Sequence, residues 1–341
     1  MDKLKKFLLH EYTLVFLFCL AVIHGAAFSL MDNYDQLSSP DCQTYTGLAR
    51  FELHQSPVRR YRPIVPLLAA GVNVVAGRAF NVMRPMNFNG DFPLAVSFYL
   101  VNCLLMSLWG LVIYRFCRSF GLPVVYVLAG LLVMLTCRWT PYIAGTPIAD
   151  SIYCLVVGIT LLGIKERNNT LLTLAIFIGP FAKEAFVFIA PLIFFFGSIG
   201  KMRQIVYFAA AAILVFSFRY AFDMVAGLPP TDGLSSDVGH IYHLADHTRR
   251  LFSFHGAYDV LSNPGVWIIF PVIALLIGPG YKAVVRTNWH PWMTFFMLAI
   301  IIHMLLSSSF ERMFYLSMPL ICLFCGFSMQ VIHKHLTETK K

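Results

Sequence analysis

The feature that most restricts this chain is a repeated alternation, in which apolar blocks of about 16 to 25 residues are separated by short clusters of Lys and Arg. A helix rises about 1.5 Å per residue, so each block is long enough to cross a hydrocarbon layer of about 30 Å. With 58% of residues hydrophobic and 13% charged, against about a quarter charged in an ordinary soluble domain, the composition excludes a soluble enzyme. The net charge of +9 sits between the blocks and reads as a set of topology signals, which leaves no case for nucleic acid as a partner. The expected fold is all-α, a polytopic transmembrane bundle forming one integral membrane domain over 1–341. Most of the eight cysteines lie inside apolar blocks, so no disulfide framework is expected. The basic, apolar start resembles a signal peptide, but Phe28-Ser29-Leu30 is a poor cleavage site and an uncleaved first span is expected.

Spans are expected at Thr13–Leu30, Phe92–Tyr114, Leu122–Cys137, Ile148–Ile164, Ile205–Val225, Val266–Ile277 with its flanks, Trp292–Leu306 and Met313–Ile332. Thr170–Ile199 is apolar but broken by Gly179, Pro180, Lys183 and Glu184, as either a hairpin or one bent helix. Basic residues stand on both sides of it, Lys165 and Arg167 before and Lys201 and Arg203 after, so positive-inside counting favours the hairpin. That gives about ten spans with both termini cytoplasmic. The inner side then carries a charge of +10 and the outer side −1. Pro63–Ala76 fits this scheme only as an interfacial or re-entrant helix on the outer face.

On that topology the inner loops are short, while the outer loops 31–91 and 226–262 are long and rich in Asp, His, Arg and aromatic residues. Recognition or chemistry is therefore expected on the outer side. No P-loop, G-x-G-x-x-G, G-x-S-x-G or H-E-x-x-H occurs, so nucleotide-driven transport, lipase-type acyl transfer and zinc proteolysis have no sequence support. The first loop contains Asp32, Asp35 and Asp41, then Tyr45, Leu48 and Ala49 at i+4, i+7 and i+8 from Asp41, on one side of a short helix. The run Arg59-Arg60-Tyr61-Arg62 follows.

Asp41-x-x-x-Tyr45-x-x-Leu48-Ala49, Tyr61-Arg62-Pro63-x-x-Pro66, Asp150 opening a span, Ala182-Lys183-Glu184 and Glu311-Arg312 before Pro319 occur in this order and on one side of the membrane. In that arrangement the chain resembles the polytopic GT-C glycosyltransferases, which use lipid-phosphate-linked sugars. The resemblance implies a sugar transfer on the outer face of a membrane, such as a bacterial inner membrane, with Asp41 activating the acceptor. The chain departs from the family in having Cys42 where many members have a second acid, and in ending after the last span.

The chemistry can also be stated without the family. A sugar on a polyprenyl phosphate needs a base for the acceptor hydroxyl and cations for the departing phosphate. Asp41 is the candidate base, with Asp150 a second catalytic candidate. Lys183, Arg312, Arg62, Arg60, Arg249 and His243 are candidates for the phosphate, Lys183 and Arg312 foremost, because a charge near a span's outer end is costly without a partner. Glu184, Glu311, Asp35 and Tyr45 are supporting candidates. His240, His243 and His247 share one helical face, but headgroup or phosphate contact suits them better than a divalent metal, and no metal site or other cofactor is assigned. The expected partners are the lipid-linked donor, a glycan, lipid or protein acceptor, and membrane lipids. A polysaccharide polymerase or ligase and a lipid-linked-sugar flippase are the competing readings.

Overall fold

The structure is a computed structural model that describes residues 10–33, 39–57, 59–85, 88, 90–228, 244–307 and 309–339. All regular elements among the described residues are helical. Five helices are long and apolar enough to cross a membrane, and two further pairs of bent helices bring the number to seven if each pair is one span. The chain thus has the architecture of an integral membrane protein.

Four helices build the first part of the bundle: α1 (Glu11–Asn33), α2 (Pro40–Ala49), α3 (Ile64–Val82) and α4 (Phe92–Arg118). The start of α1 and the end of α4 mark one end of the molecule, the lower end, where Tyr114 donates to Glu11 and Arg118 stands 3.8 Å from it. Asp91 caps α4 by accepting from the Leu94 amide at 3.2 Å and pairs with Arg50 at 3.0 Å, which fixes the end of α2 at the upper end.

Helix α3 differs in length from the expected Pro63–Ala76, covering 19 residues and ending at Val82. It is one of the five helices long enough to cross and lies lengthwise against α4: a Cβ on Gly77 would lie 3.7 Å from Pro93 in the first turn of α4, and Val72 shares a groove with Tyr99 and Leu104.

After α4 the chain turns up through α5 (Val124–Leu135) and α6 (Trp139–Gly145), which meet at a bend of 66°. The expected span Leu122–Cys137 is thus broken at its top, where Thr136 and Arg138 interrupt the apolar pattern. Helix α7 (Asp150–Glu166) then descends, and Arg115 meets Glu166 at 2.6 Å at the lower end. Asn168 caps α8 (Asn169–Ala182) by accepting from the amides of Thr170 and Leu171.

The broken segment 170–199 resolves as a hairpin. Helix α8 climbs, a 3-10 turn at Glu184–Phe188 follows, and α9 (Ala190–Phe196) descends. Ser198 donates to Asn169 at 2.6 Å, so both ends of the segment meet at the lower end and Lys183 and Glu184 stand at the upper tip. The turn is tight because Gly179 faces the Phe186 ring, which a Cβ would meet at 2.5 Å.

Helix α10 (Lys201–Ala226) climbs along α8 and is mostly exposed, with Gln204, Ala211, Asp223 and Ala226 buried. On the upper side α11 (Leu244–Leu251) and α12 (Phe254–Leu261) precede a bend of 95° into a 3-10 turn at Gly265–Ile268 and α13 (Ile269–Ile277). The chain turns at the lower end through α14 (Pro279–Asn288), rises in α15 (Pro291–Leu305), passes α16 (Phe310–Phe314), and descends as α17 (Met318–Glu338).

The centre of the bundle is α4, whose Met106, Trp109 and Ile113 are fully buried. Helices α5 and α17 pack backbone to backbone, since a Cβ on Gly130 would lie 2.3 Å from the Cys322 carbonyl and one on Gly326 2.8 Å from that of Tyr126. Small residues at such a crossing let two apolar helices gain dispersion contacts where lipid supplies no hydrophobic drive. Cys322 and Cys325 sit in this interface as free, buried thiols.

Candidate functional site

Four separate segments deliver charged side chains to one place beneath α2. Helix α2 begins at Pro40, which pre-sets the first turn, and presents Asp41 at its N-terminal end, where the helix dipole favours a carboxylate. Arg59 approaches one carboxylate oxygen of Asp41, and Arg312 from α16 donates to the other at 3.0 Å. Arg312 also stands 3.6 Å from Asp150 at the start of α7. Asp150 in turn accepts from Lys183 at the hairpin tip at 2.8 Å. One row of alternating charge, Arg59–Asp41–Arg312–Asp150–Lys183, therefore joins residues that lie up to 271 positions apart in the chain.

A second row adjoins it. Glu184 accepts from Arg62 at 2.7 Å and faces Arg219 of α10 at 3.8 Å, while Arg62 also donates to the Tyr45 hydroxyl at 2.9 Å. Arg60 pairs with Asp223 of α10 at 2.8 Å, and the Tyr61 hydroxyl donates to the same carboxylate at 2.7 Å. Arg219 lies over the Tyr61 ring, 4.8 Å from its centre. Arg219 and Asp223, neighbours on one helix turn, thus do not cancel each other but reach separate partners across the site.

The cluster is recessed. Asn102, ten residues below the start of α4, donates to the carbonyls of Thr146 and Ile148 and accepts from Ser151 at 2.5 Å, which sets Asp150 at its level. At about 1.5 Å per residue that is about 15 Å below the top of α4. Side-chain exposure is 15% for Asp41, 12% for Asp150, 9% for Lys183 and 20% for Arg312, so the groups are desolvated enough to interact strongly.

Among the described residues the two rows hold six cations, Arg59, Arg60, Arg62, Lys183, Arg219 and Arg312, against four carboxylates, Asp41, Asp150, Glu184 and Asp223. The surplus is two positive charges. An enclosed surplus of this sign is complementary to a phosphate or phosphodiester, and the arginine forks suit its oxygens. Arg312 has a donor to spare, because its Nε is buried and has no acceptor among the described residues.

Of the site candidates, Asp41, Tyr45, Arg60, Arg62, Asp150, Lys183, Glu184 and Arg312 come together. Arg60 does so as the partner of Asp223 rather than as a free phosphate ligand. Glu311 turns away from the rows to Arg138, 3.6 Å off, while Asn263, just after α12, donates to its carbonyl at 3.0 Å. Arg249 is not brought to the site, being exposed on α11, whose next residue, Arg250, is committed to Asp259 at 2.8 Å. Asp35, His240 and His243 lie outside the described residues, while His247 faces the Leu305 carbonyl at 2.8 Å. His303 packs between the Tyr153 and Phe188 rings, and its Nδ1 has no partner among the described residues. Arg59, Arg219 and Asp223 are the members of the site that the sequence pattern underweighted. The costly presence of Arg and Asp inside one apolar helix was the available signal for the last two.

Burial pushes the Glu184 carboxyl up, but Arg62 beside it and the hydrogen bond Arg62 donates hold it below its ordinary 4.5. Its folded value being depressed, the stability it contributes is complete above pH 4.5 and is lost as pH falls through the depressed value. Thermal melts between pH 7 and pH 3 are therefore expected to fall less steeply for Glu184→Gln than for the wild type. Parallel pH profiles would show that Glu184 is not the titrating group.

Comparison of the chain with protein-family models, with curated proteins and with solved structures returned no match.

Proposed function

We propose that this protein is a membrane glycosyltransferase of the GT-C type, moving a sugar from a polyprenyl-phosphate donor to an acceptor on the outer, periplasmic or lumenal, face. The observation that carries this reading is the convergence of Asp41, Arg312, Asp150 and Lys183 from four segments into a recessed cluster with surplus positive charge. A lipid phosphate supplies the anion that the cluster lacks. Arg312 and Lys183 take its oxygens as the glycosidic bond breaks, stabilising the charge that develops on the leaving group. Asp41 is engaged by Arg59 and Arg312 in the structure. As these arginines turn to the phosphate, its carboxylate is released to accept the acceptor hydroxyl's proton. Attack opposite the leaving phosphate inverts the anomeric carbon.

In this reading the chain crosses a bacterial inner membrane ten times, with α8 and α9 as two short crossings, and keeps both termini in the cytoplasm. The hairpin supports it, as do the ion pairs of Glu11, Arg115 and Glu166 at the end opposite the cluster. All eight native cysteines are buried, so single cysteines at exposed Glu52 and Thr287 report cleanly. The Glu52 site is expected to label from outside intact cells and the Thr287 site only after permeabilisation. The opposite pattern would invert the topology.

The test of the function is transfer of radiolabelled hexose from a synthetic polyprenyl phosphate by purified protein in lipid nanodiscs. A recessed charge cluster and bent helices are also features of a flippase for lipid-linked sugars. Movement of the donor between leaflets without release of polyprenyl phosphate would decide for that reading.

A further inference from the structure

Beside the charge rows, α6 and α16 place a second group of side chains that the phosphate chemistry does not use. Arg138, Trp139 and Tyr142 come from the first turns of α6, and Glu311 from α16. Arg138 spans the two elements, 3.6 Å from Glu311 and with its guanidinium 5.6 Å from the centre of the Trp139 ring. The Trp139 and Tyr142 rings meet edge to face at 5.2 Å and 84°. The pair follows the bend of 66° between α5 and α6, and both rings are half-buried.

The polar atoms here are incompletely matched. Trp139 Nε1 and Glu311 Oε2 are each buried and without a hydrogen-bond partner among the described residues. An unmatched buried polar atom is costly, and two in one neighbourhood, next to an exposed Arg138 and a half-buried Trp139, mark a place where a ligand supplies the partners. One of the atoms donates and the other accepts. A phosphate satisfies only donors and is repelled by Glu311, whereas hydroxyl groups both donate and accept. Indole and phenol rings add flat apolar surface of the size of a six-membered ring.

We infer that Arg138, Trp139, Tyr142 and Glu311 form a carbohydrate subsite that binds a pyranose ring by stacking and by hydroxyl hydrogen bonds, adjoining Arg312. The inference rests on the proposed function only for the role of the ring, which belongs either to the donor sugar or to a glycan acceptor. Binding of a sugar here stands or falls independently of transfer.

Saturation-transfer NMR on the full chain in nanodiscs, free of sugar-headed detergents, tests it. The probes are methyl pyranosides of the gluco, galacto, manno and N-acetylglucosamino series, with cyclohexanol as the control for mere apolar contact. At least one pyranoside is expected to receive saturation from the wild type, and the signal is expected to drop at least fivefold in Trp139→Ala and in Glu311→Gln. Trp139→Phe keeps the ring and loses Nε1, and is expected to fall between. Melting temperatures identify any variant that fails to fold, in which case Trp139→Phe and the isosteric Glu311→Gln carry the test. No pyranoside signal, a signal equal to that of cyclohexanol, or one unchanged by these substitutions overturns the subsite. If transfer is detectable, competition by the free pyranoside against acceptor indicates an acceptor ring, and competition against donor indicates the donor sugar. Trp139-dependent binding without any transfer keeps the subsite and removes the glycosyltransferase reading.

Discussion

Asp41→Asn is expected to lower sugar transfer by roughly 100-fold or more while folding and donor binding are retained. The amide keeps the size of the side chain and can still accept from Arg59 or Arg312, so the α2 start and the first row of charge have reason to persist. It loses the basicity that would take the acceptor proton. Removing a negative charge from between two arginines also raises the surplus charge of the cluster, so binding of polyprenyl phosphate is expected to hold or tighten as turnover falls. That combination distinguishes a base from a purely structural carboxylate, whose loss would weaken both. Asp32, exposed at the end of α1, serves as the control, and its Asn variant is expected to be fully active. Normal turnover in Asp41→Asn with a dead Asp150→Asn would move the base to Asp150 and leave the enzyme class standing. Normal turnover in both would remove the main support for a transferase.

Arg312→Gln and Lys183→Met attack the other half of the mechanism. Arg312 bridges Asp41 and Asp150, so its loss leaves two neighbouring carboxylates with one fewer cation and a site whose surplus charge is halved. Donor affinity and turnover are both expected to fall, turnover by roughly 100-fold, because the charge on the leaving phosphate grows toward the transition state. Arg312→Lys keeps the charge but not the fork, and is expected to recover only part of the loss. Lys183→Met is expected to be the more damaging to folding. It strips the 2.8 Å partner from Asp150, whose side chain is 12% exposed, and breaking such a pair costs about 3–5 kcal/mol. The double variant Lys183→Met with Asp150→Asn removes the carboxylate that is otherwise left with Arg312 at 3.6 Å, and is expected to regain stability without regaining activity. If it regains activity as well, the pair is structural and the phosphate is held elsewhere.

Much of this molecule is legible in one dimension because a bilayer imposes simple rules. The length of the apolar blocks, their separation by basic clusters and the break at Gly179–Glu184 follow from residue types alone, since backbone groups in lipid have to be paired within the segment and charge has to stay out of hydrocarbon. The sequence by itself determined an all-helical membrane architecture and marked Asp41, Asp150, Lys183 and Arg312 as charges needing partners. Only the tertiary structure decided which partners they have. Ion pairing between residues 271 positions apart depends on helix packing, which apolar periodicity does not encode when nearly every position is apolar. Packing also decided that Arg60 is committed to Asp223 and Arg250 to Asp259, that Glu311 turns to Arg138, and that α3 lies lengthwise against α4. A charge's chemistry is set by what stands within about 4 Å of it, and that distance is a property of the folded chain.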